Sequence, residues 1–402
     1  MKILIADFIY TDEGYIQKKA IAFDEFIQNI DDIEILKNMY PKAKIINTPK
    51  NSVIYPGFIN SHVHLEFSNN TTTLRYGSFI PWLKSVIGNM ALVQKCTKKD
   101  MKKAYTDMLK SGVTSFGAIS SNGNDLQSCV KTPQRVVYFN EILGSKEENC
   151  DEAYSNFIQR VERSLQFASE NFKPAVSVHS PYSTHPKLIK KAVSLAKEKK
   201  FLMSAHLLES EAEREWIENA GGEFYDLYNN FFGIQKPINT KESFLKEFDD
   251  IPTHFIHLAS AGIDDIAYLK SKDHSIAHCP RSNRLLGCGV LDVSNLNVIW
   301  TTATDGLSSN WSLNIFDELR SAIMMHANDD LHTLADKLIK SITSAPARIL
   351  ELNCGMIKKG RFADLAIVTL PDSPETKDEI SLWTILHTKK VTKLYIGGKK
   401  YV

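Results

Sequence analysis

Two histidines one residue apart, His62 and His64, stand in the run Pro56-Gly57-Phe58-Ile59-Asn60-Ser61-His62-Val63-His64-Leu65-Glu66. The run reads as a buried β-strand. Side chains alternate faces along a strand, so both imidazoles point the same way. Two converging imidazoles are half of a metal site, although an isolated His-x-His pair is common without one. Two further residues supply the other half. His206, at the end of another strand-like run, offers a third nitrogen, and Asp305, at the end of a third run, offers a carboxylate oxygen. Three histidines and one carboxylate suit a single divalent cation, Zn2+ or Fe2+, with a position left for water. Such an ion lowers the pKa of a bound water toward neutrality, which is hydrolytic chemistry.

Three more residues bear on that chemistry. Glu209 follows His206 in His206-Leu207-Leu208-Glu209. A carboxylic acid there can protonate a ring nitrogen while the neighbouring carbon is attacked; the plain alternative is a solvated glutamate favoured by the dipole of a helix start. His257 ends its own strand and can hydrogen-bond the attacking oxygen, whereas His254, at the far end of that strand, reads as structural. His179 lies in Ser177-Val178-His179-Ser180-Pro181, where no lysine stands to bridge two ions. That favours one metal and leaves His179 free to touch substrate.

Strand ends are what must position these groups. Strand-like runs at 57–62, 113–119, 135–142, 175–180, 202–207, 253–259, 275–279 and 298–305 alternate with helical stretches. The helix at 97–110 stops at Ser111-Gly112. The helix at 186–199 opens on proline and repeats Leu188, Ala192, Leu195 and Ala196 on one face. Ser210-Glu211-Ala212-Glu213 has the pattern of a capping box, and 313–327 is amphipathic. Eight strands alternating with helices predict an α/β fold closed as a (β/α)8 TIM-like barrel, whose active site sits at the C-terminal ends of its strands. His62, His179, His206, His257, His278 and Asp305 all fall near such ends. Residues 1–55 hold short strand runs with no long helix, 346–402 return to strand runs with turns, and the two are expected to build a small β-sandwich together. The barrel is then 56–345. An insertion at 223–250 carries the aromatic run Phe224 to Phe232; it is either local packing or a loop over the pocket.

Composition removes other classes. Net charge is +1, which argues against a nucleic-acid or membrane-surface binder. No apolar run is long enough to span a bilayer, and the six cysteines have no CxxC spacing, so free thiols in the cytoplasm are expected. Cys279 precedes Pro280 but the next cysteine is Cys288, which excludes the PCxxC zinc site of cytidine-deaminase-type enzymes.

Pro56-Gly57-Phe58-Ile59-Asn60-Ser61-His62-Val63-His64, His206-Leu207-Leu208-Glu209, His278-Cys279-Pro280-Arg281-Ser282-Asn283 and Thr304-Asp305-Gly306-Leu307-Ser308-Ser309-Asn310 together resemble the amidohydrolase superfamily, in its chlorohydrolase and nucleoside-deaminase branch. The resemblance covers nearly the whole chain. Ser61 to Ser68, Phe79-Ile80-Pro81-Trp82-Leu83 and Phe139-Asn140-Glu141-Ile142-Leu143-Gly144 look most like the aminodeoxyfutalosine deaminases of menaquinone biosynthesis. It implies hydrolysis of the adenine amino group of 6-amino-6-deoxyfutalosine to futalosine and ammonia. Deamination of methylthioadenosine, S-adenosylhomocysteine, adenosine or guanine, or dechlorination of a nitrogen heterocycle, is the alternative. A non-catalytic relative would lack ligands that are all present here.

By the same resemblance His62, His64, His206 and Asp305 bind the metal, Zn2+ before Fe2+. Asp305 takes a proton from the attacking water, Glu209 delivers one to purine N1, and His257 orients the oxygen. His179 contacts the purine and Trp82 packs on the nucleoside, unless its indole is plain core. Glu66 and Glu141 accept hydrogen bonds from ribose or neighbouring groups, unless Glu141 pairs with Arg135 or Arg281. Glu66 is expected to share the face of His62 and His64 and to project toward the nucleoside. The expected partner is a small purine nucleoside, with a homodimer as one assembly open to the chain.

Overall fold

A computed structural model of the chain describes all residues but Thr71 and Asn295; the side chain of Phe232 is also outside the described part. Eight strands hydrogen-bond in sequence order into one sheet. They are β1 (Phe58–Val63), β2 (Val113–Ser120), β3 (Arg135–Ile142), β4 (Phe172–Val178), β5 (Met203–Leu207), β6 (Thr253–His257), β7 (Ser275–His278) and β8 (Ile299–Thr302). The pairs from β3 to β8 are parallel. Just past β8 the amide of Asp305 donates to the carbonyl of His62, at 3.2 Å, which brings the last strand back to the first. β1, β2 and β3 are buried along their whole length, as strands covered on both faces must be. Gly57 leads into β1 because nothing larger fits: a Cβ there would lie 2.1 Å from the Thr114 hydroxyl.

The expected strands are all found, most shifted or shortened by one to three residues. The run 298–305 is strand only over Ile299–Thr302, and its last residues form the loop that carries Asp305. The helix Pro186–Lys199 falls where its proline and apolar repeat place it. Ser210 does cap the helix Glu211–Asn219 by accepting from the Glu213 amide, but the capping box is not closed. The Glu213 carboxylate instead accepts the amides of Leu208 and Glu209, at 3.0 and 2.8 Å. The 223–250 insertion folds as two helices, Gly222–Phe232 and Lys241–Lys246.

The chain divides into two compact units. One comprises Met1–Ser61, Tyr105–Phe116 and Asn314–Val402. It holds a four-stranded and a six-stranded sheet built from both termini, around a core that includes Leu4, Ile21, Phe23, Ile54 and Ile367. A single short helix, Ile33–Met39, interrupts the N-terminal strands. The helices Ile315–Met325 and Leu331–Ser341 group with this unit, at residues the sequence reading assigned to the barrel. They are tied there by Arg320, which donates to the carbonyls of Ile385 and Thr388, and by Asp336, which accepts from Ser381. The second unit, His62–Ala104 with Gly117–Leu313, contains every residue of the site described next.

Candidate active site

His62 and His64 leave the end of β1 with ring centroids 4.8 Å apart, and the His206 ring lies 5.0 and 5.6 Å from them. Potential ligand atoms of these three residues lie within 4.8 Å of one another. Oδ1 of Asp305 lies 3.5 Å from Nε2 of His62 and 3.6 Å from Nε2 of His64. Donors about 2.1 Å from a tetrahedral ion are about 3.4 Å apart, so these separations fit a common cation. Both ring nitrogens of His62 and Nδ1 of His64 are buried and make no hydrogen bond among the described residues. Unpaired buried nitrogens are costly unless something else takes up their lone pairs. Electrostatics agree. Burial pushes His62 down to about 4 and holds His206 well below the usual imidazole range, so both offer lone pairs rather than protons. Burial works to raise Asp305, but His62, His64 and His257 hold its carboxyl well below the ordinary range, ionised. The residues therefore fit one divalent cation.

The backbone is bent to make this arrangement. Leu208, His257, Leu258 and Asp305 adopt positive φ, at 49°, 78°, 49° and 57°. For residues other than glycine this conformation is unfavourable by about 1–3 kcal/mol each and gathers at functional sites. Here it lies at or just past the ends of β5, β6 and β8. Gly306 then lets the β8 loop approach β1, since a Cβ at this position would sit 2.9 Å from that of His64.

Neighbouring side chains fix orientation. Oδ2 of Asp305 accepts the hydroxyls of Ser282 and Ser309 at 2.7 and 2.8 Å, and Oδ1 accepts the Gly306 amide. Oδ1 of Asn283 is 2.9 Å from Nδ1 of His257, so that nitrogen carries the hydrogen. Nε2 of His257 then faces Oε1 of Glu209, at 3.5 Å. Glu209 is buried, and burial, then Asp305 and Glu213, push its carboxyl well above the ordinary range. It is a buried carboxyl beside the candidate metal ligands, where burial favours the acid form, not a solvated helix-start residue. Asn283, Ser282 and Ser309 were legible only as motif members; their tasks depend on how the β7 and β8 loops meet.

A cavity of about 460 Å3 opens above these groups. His64, His179, His206, Glu209, His257 and Asp305 form its polar floor. Trp82, Val86, Ile87, Met90, Leu227 and Tyr228 are in its apolar wall, and no lysine or arginine is among the described lining residues. His179 is pinned by Ser183, whose hydroxyl is 2.6 Å from Nδ1. Trp82 donates from its indole to the Ser308 carbonyl, at 2.9 Å, so it both braces the loop and lines the cavity. The insertion likewise serves both readings, with Phe224 buried and Leu227 and Tyr228 on the wall. Glu141 reaches the cavity and accepts from Ser121; Arg160 donates to its main-chain carbonyl, and among the described residues its carboxylate makes no salt bridge to an arginine and its Oε1 has no hydrogen bond.

Glu66 does not project toward a ligand. The strand ends at Val63, and Leu65–Phe67 form a 3-10 turn, which ends the alternation that would have kept Glu66 on the face of His62 and His64. Its carboxylate accepts the amides of Ser121, Asn122 and Asn124 instead and is not on the cavity wall.

The chain is similar to known proteins along its whole length. The chain is 42% identical over 404 residues to the aminodeoxyfutalosine deaminase of Nitratiruptor sp., with both chains fully covered. It is 35% identical to an adenosine deaminase of Helicobacter pylori, across 95% of this chain and 94% of that one. The crystal structure of Helicobacter pylori aminofutalosine deaminase in complex with methylthio-coformycin superposes with a TM-score of 0.94, at 33% identity and full coverage of both chains. The amidohydrolase family model matches residues 53–400, and with the barrel and its strand-end histidines in place, the chain belongs to the amidohydrolase family.

Proposed function

We propose that this protein removes the 6-amino group of the adenine ring of 6-amino-6-deoxyfutalosine, giving futalosine and ammonia in menaquinone biosynthesis. The observation that carries the reading is Glu209, a buried carboxyl 3.5 Å from His257 and beside the candidate metal ligands at the floor of the cavity, where burial favours its acid form. Deamination of an aromatic amidine needs such an acid, because the ring nitrogen must be protonated as the adjacent carbon becomes tetrahedral. The full-length likeness to deaminases of this substrate supports the specific choice.

In this reading His62, His64, His206 and Asp305 hold one divalent ion, Zn2+ before Fe2+. When bound, the ion supplies Lewis acidity and a water of lowered pKa. The side chains do the rest. Asp305, ionised, accepts a proton from the attacking water. His257, with hydrogen fixed on Nδ1 by Asn283, presents Nε2 to the attacking oxygen and orients it. Glu209 gives its proton to N1 as the C6–O bond forms. Asp305 then returns its proton to the amino nitrogen, the C6–N bond breaks and ammonia leaves, while the C6 hydroxyl becomes the carbonyl and its proton restores the acid form of Glu209. His179 and Trp82 border the space for the base and sugar, and the apolar wall suits an aryl group on the 5′ side.

The test is a substrate panel. Purified protein with zinc is offered aminodeoxyfutalosine, methylthioadenosine, S-adenosylhomocysteine, adenosine, guanine and adenosine 5′-monophosphate, and ammonia release is measured. The expected order has aminodeoxyfutalosine highest in kcat/KM and the monophosphate lowest. No ammonia from any of them would refute the proposal.

A further inference from the structure

Glu141 and Glu66 are placed for a task other than touching ribose. Glu141 ends β3, is fully buried, and receives the Ser121 hydroxyl on Oε2 at 2.5 Å. Its Oε1 lies 3.5 Å from Nδ1 of His206. Neither atom has a hydrogen bond among the described residues. A carboxylate oxygen and a ring nitrogen this close, each without a hydrogen bond of its own, are matched when the nitrogen carries hydrogen. That tautomer leaves the lone pair on Nε2 of His206, the nitrogen a cation would take.

A second carboxylate backs the first. Glu66 accepts three main-chain amides of the loop after β2: Ser121 at 2.9 Å, Asn122 at 3.0 Å and Asn124 at 2.9 Å. Oriented amides of this kind form a concave anion seat, here filled by the protein's own side chain. The loop so held is the one that presents Ser121 to Glu141. Glu66 in turn follows His64 by two residues through the Leu65–Phe67 turn. The ends of β1, β2, β3 and β5 are thus linked from His64 to His206 through two carboxylates.

We infer that Glu141 is a positioning residue that fixes the tautomer and ring angle of His206, and that Glu66 holds Glu141 in register through Ser121. The inference rests on reading the four ligands as a metal centre, and it removes both glutamates from the set that recognises the nucleoside.

The experiment reads metal, not turnover. Metal-free protein is titrated with Zn2+ against a chromogenic chelator, and loss of Zn2+ to excess chelator is timed. Outer carboxylates of this kind change affinity by about 10–100-fold, and that loss is expected for Glu141→Ala. Glu141→Gln should lose less, because its amide oxygen still accepts from Nδ1. Ser121→Ala and Glu66→Gln should release Zn2+ faster than wild type. Wild-type affinity in Glu141→Ala with a raised KM would overturn the inference in favour of a substrate contact. A second equivalent of Zn2+ bound by the wild type and lost in the variant would overturn it in favour of a ligand. Should Glu141→Ala fail to fold, Glu141→Gln and Ser121→Ala decide, and wild-type Zn2+ release in both overturns it. Because the Zn2+ readouts need no substrate, a wild type that binds Zn2+ yet deaminates nothing in the panel sinks the proposed function alone.

Discussion

Replacing Glu209 by glutamine tests the proton donor with the least disturbance to the site. Glutamine keeps the volume, the carbonyl that can face Nε2 of His257, and the amide bond that Glu213 accepts from residue 209. It removes only the transferable proton. General acids contribute about 10²–10⁴ in rate. Glu209 is 5% exposed, so bulk water cannot readily replace it as donor, and the middle of that range applies rather than its lower end. A loss of about 10³ in kcat, or about 4 kcal/mol of barrier, is expected. The pH profile gives a second readout. Burial raises the Glu209 pKa in the folded protein, so the acid form persists above the usual carboxyl range and is lost only as pH rises through that raised value. Wild-type activity should therefore hold through the range where an ordinary glutamate has already ionised, then fall on an alkaline limb that the variant lacks. The assay is ammonia release under saturating substrate, with metal measured by elemental analysis on the same samples. One metal per chain with kcat within tenfold of wild type would refute the argument. Loss of the metal would show that Glu209 supports the ligands rather than the proton transfer.

Three further outcomes follow from the geometry. His206→Ala should purify with little metal by elemental analysis, since it removes one of three converging imidazoles; retained stoichiometric metal contradicts the ligand set. Asn283→Leu leaves the Nδ1 hydrogen of His257 without its acceptor, a penalty of about 1–3 kcal/mol, and should lower kcat by about 10–100-fold with metal retained; unchanged kcat frees His257 from this support. Asp125 is fully buried among Ser120, Tyr138 and Glu66, and burial, then Glu66, raise its pKa to about 8. Its folded value lies above its unfolded one, so the stability it gives is complete below about pH 4 and declines to about pH 8, at up to about 1.4 kcal/mol per pH unit. Urea midpoints across pH 5 to 8 should fall more steeply in wild type than in Asp125→Asn, and parallel slopes would remove the effect.

The sequence by itself determined the class of fold and most of the chemistry. Strand alternation alone makes His62 and His64 converge, and the recurrence of histidines at strand ends points to the C-terminal face of a barrel. Both inferences are local or periodic, so no contact map is needed. What only the tertiary structure decided depends on contacts between distant segments. Asn283 meets His257, Ser282 and Ser309 meet Asp305, and Glu141 meets His206, each across a different loop. Residue type and spacing carry no signal for those encounters. Glu66 shows the limit most plainly. Period-two alternation extended from His62 aims it into the pocket, but the pleat stops at Val63 and the 3-10 turn swings it toward three unpaired amides of the next loop. A carboxylate goes where donors lack partners, and only the folded chain shows where those donors are.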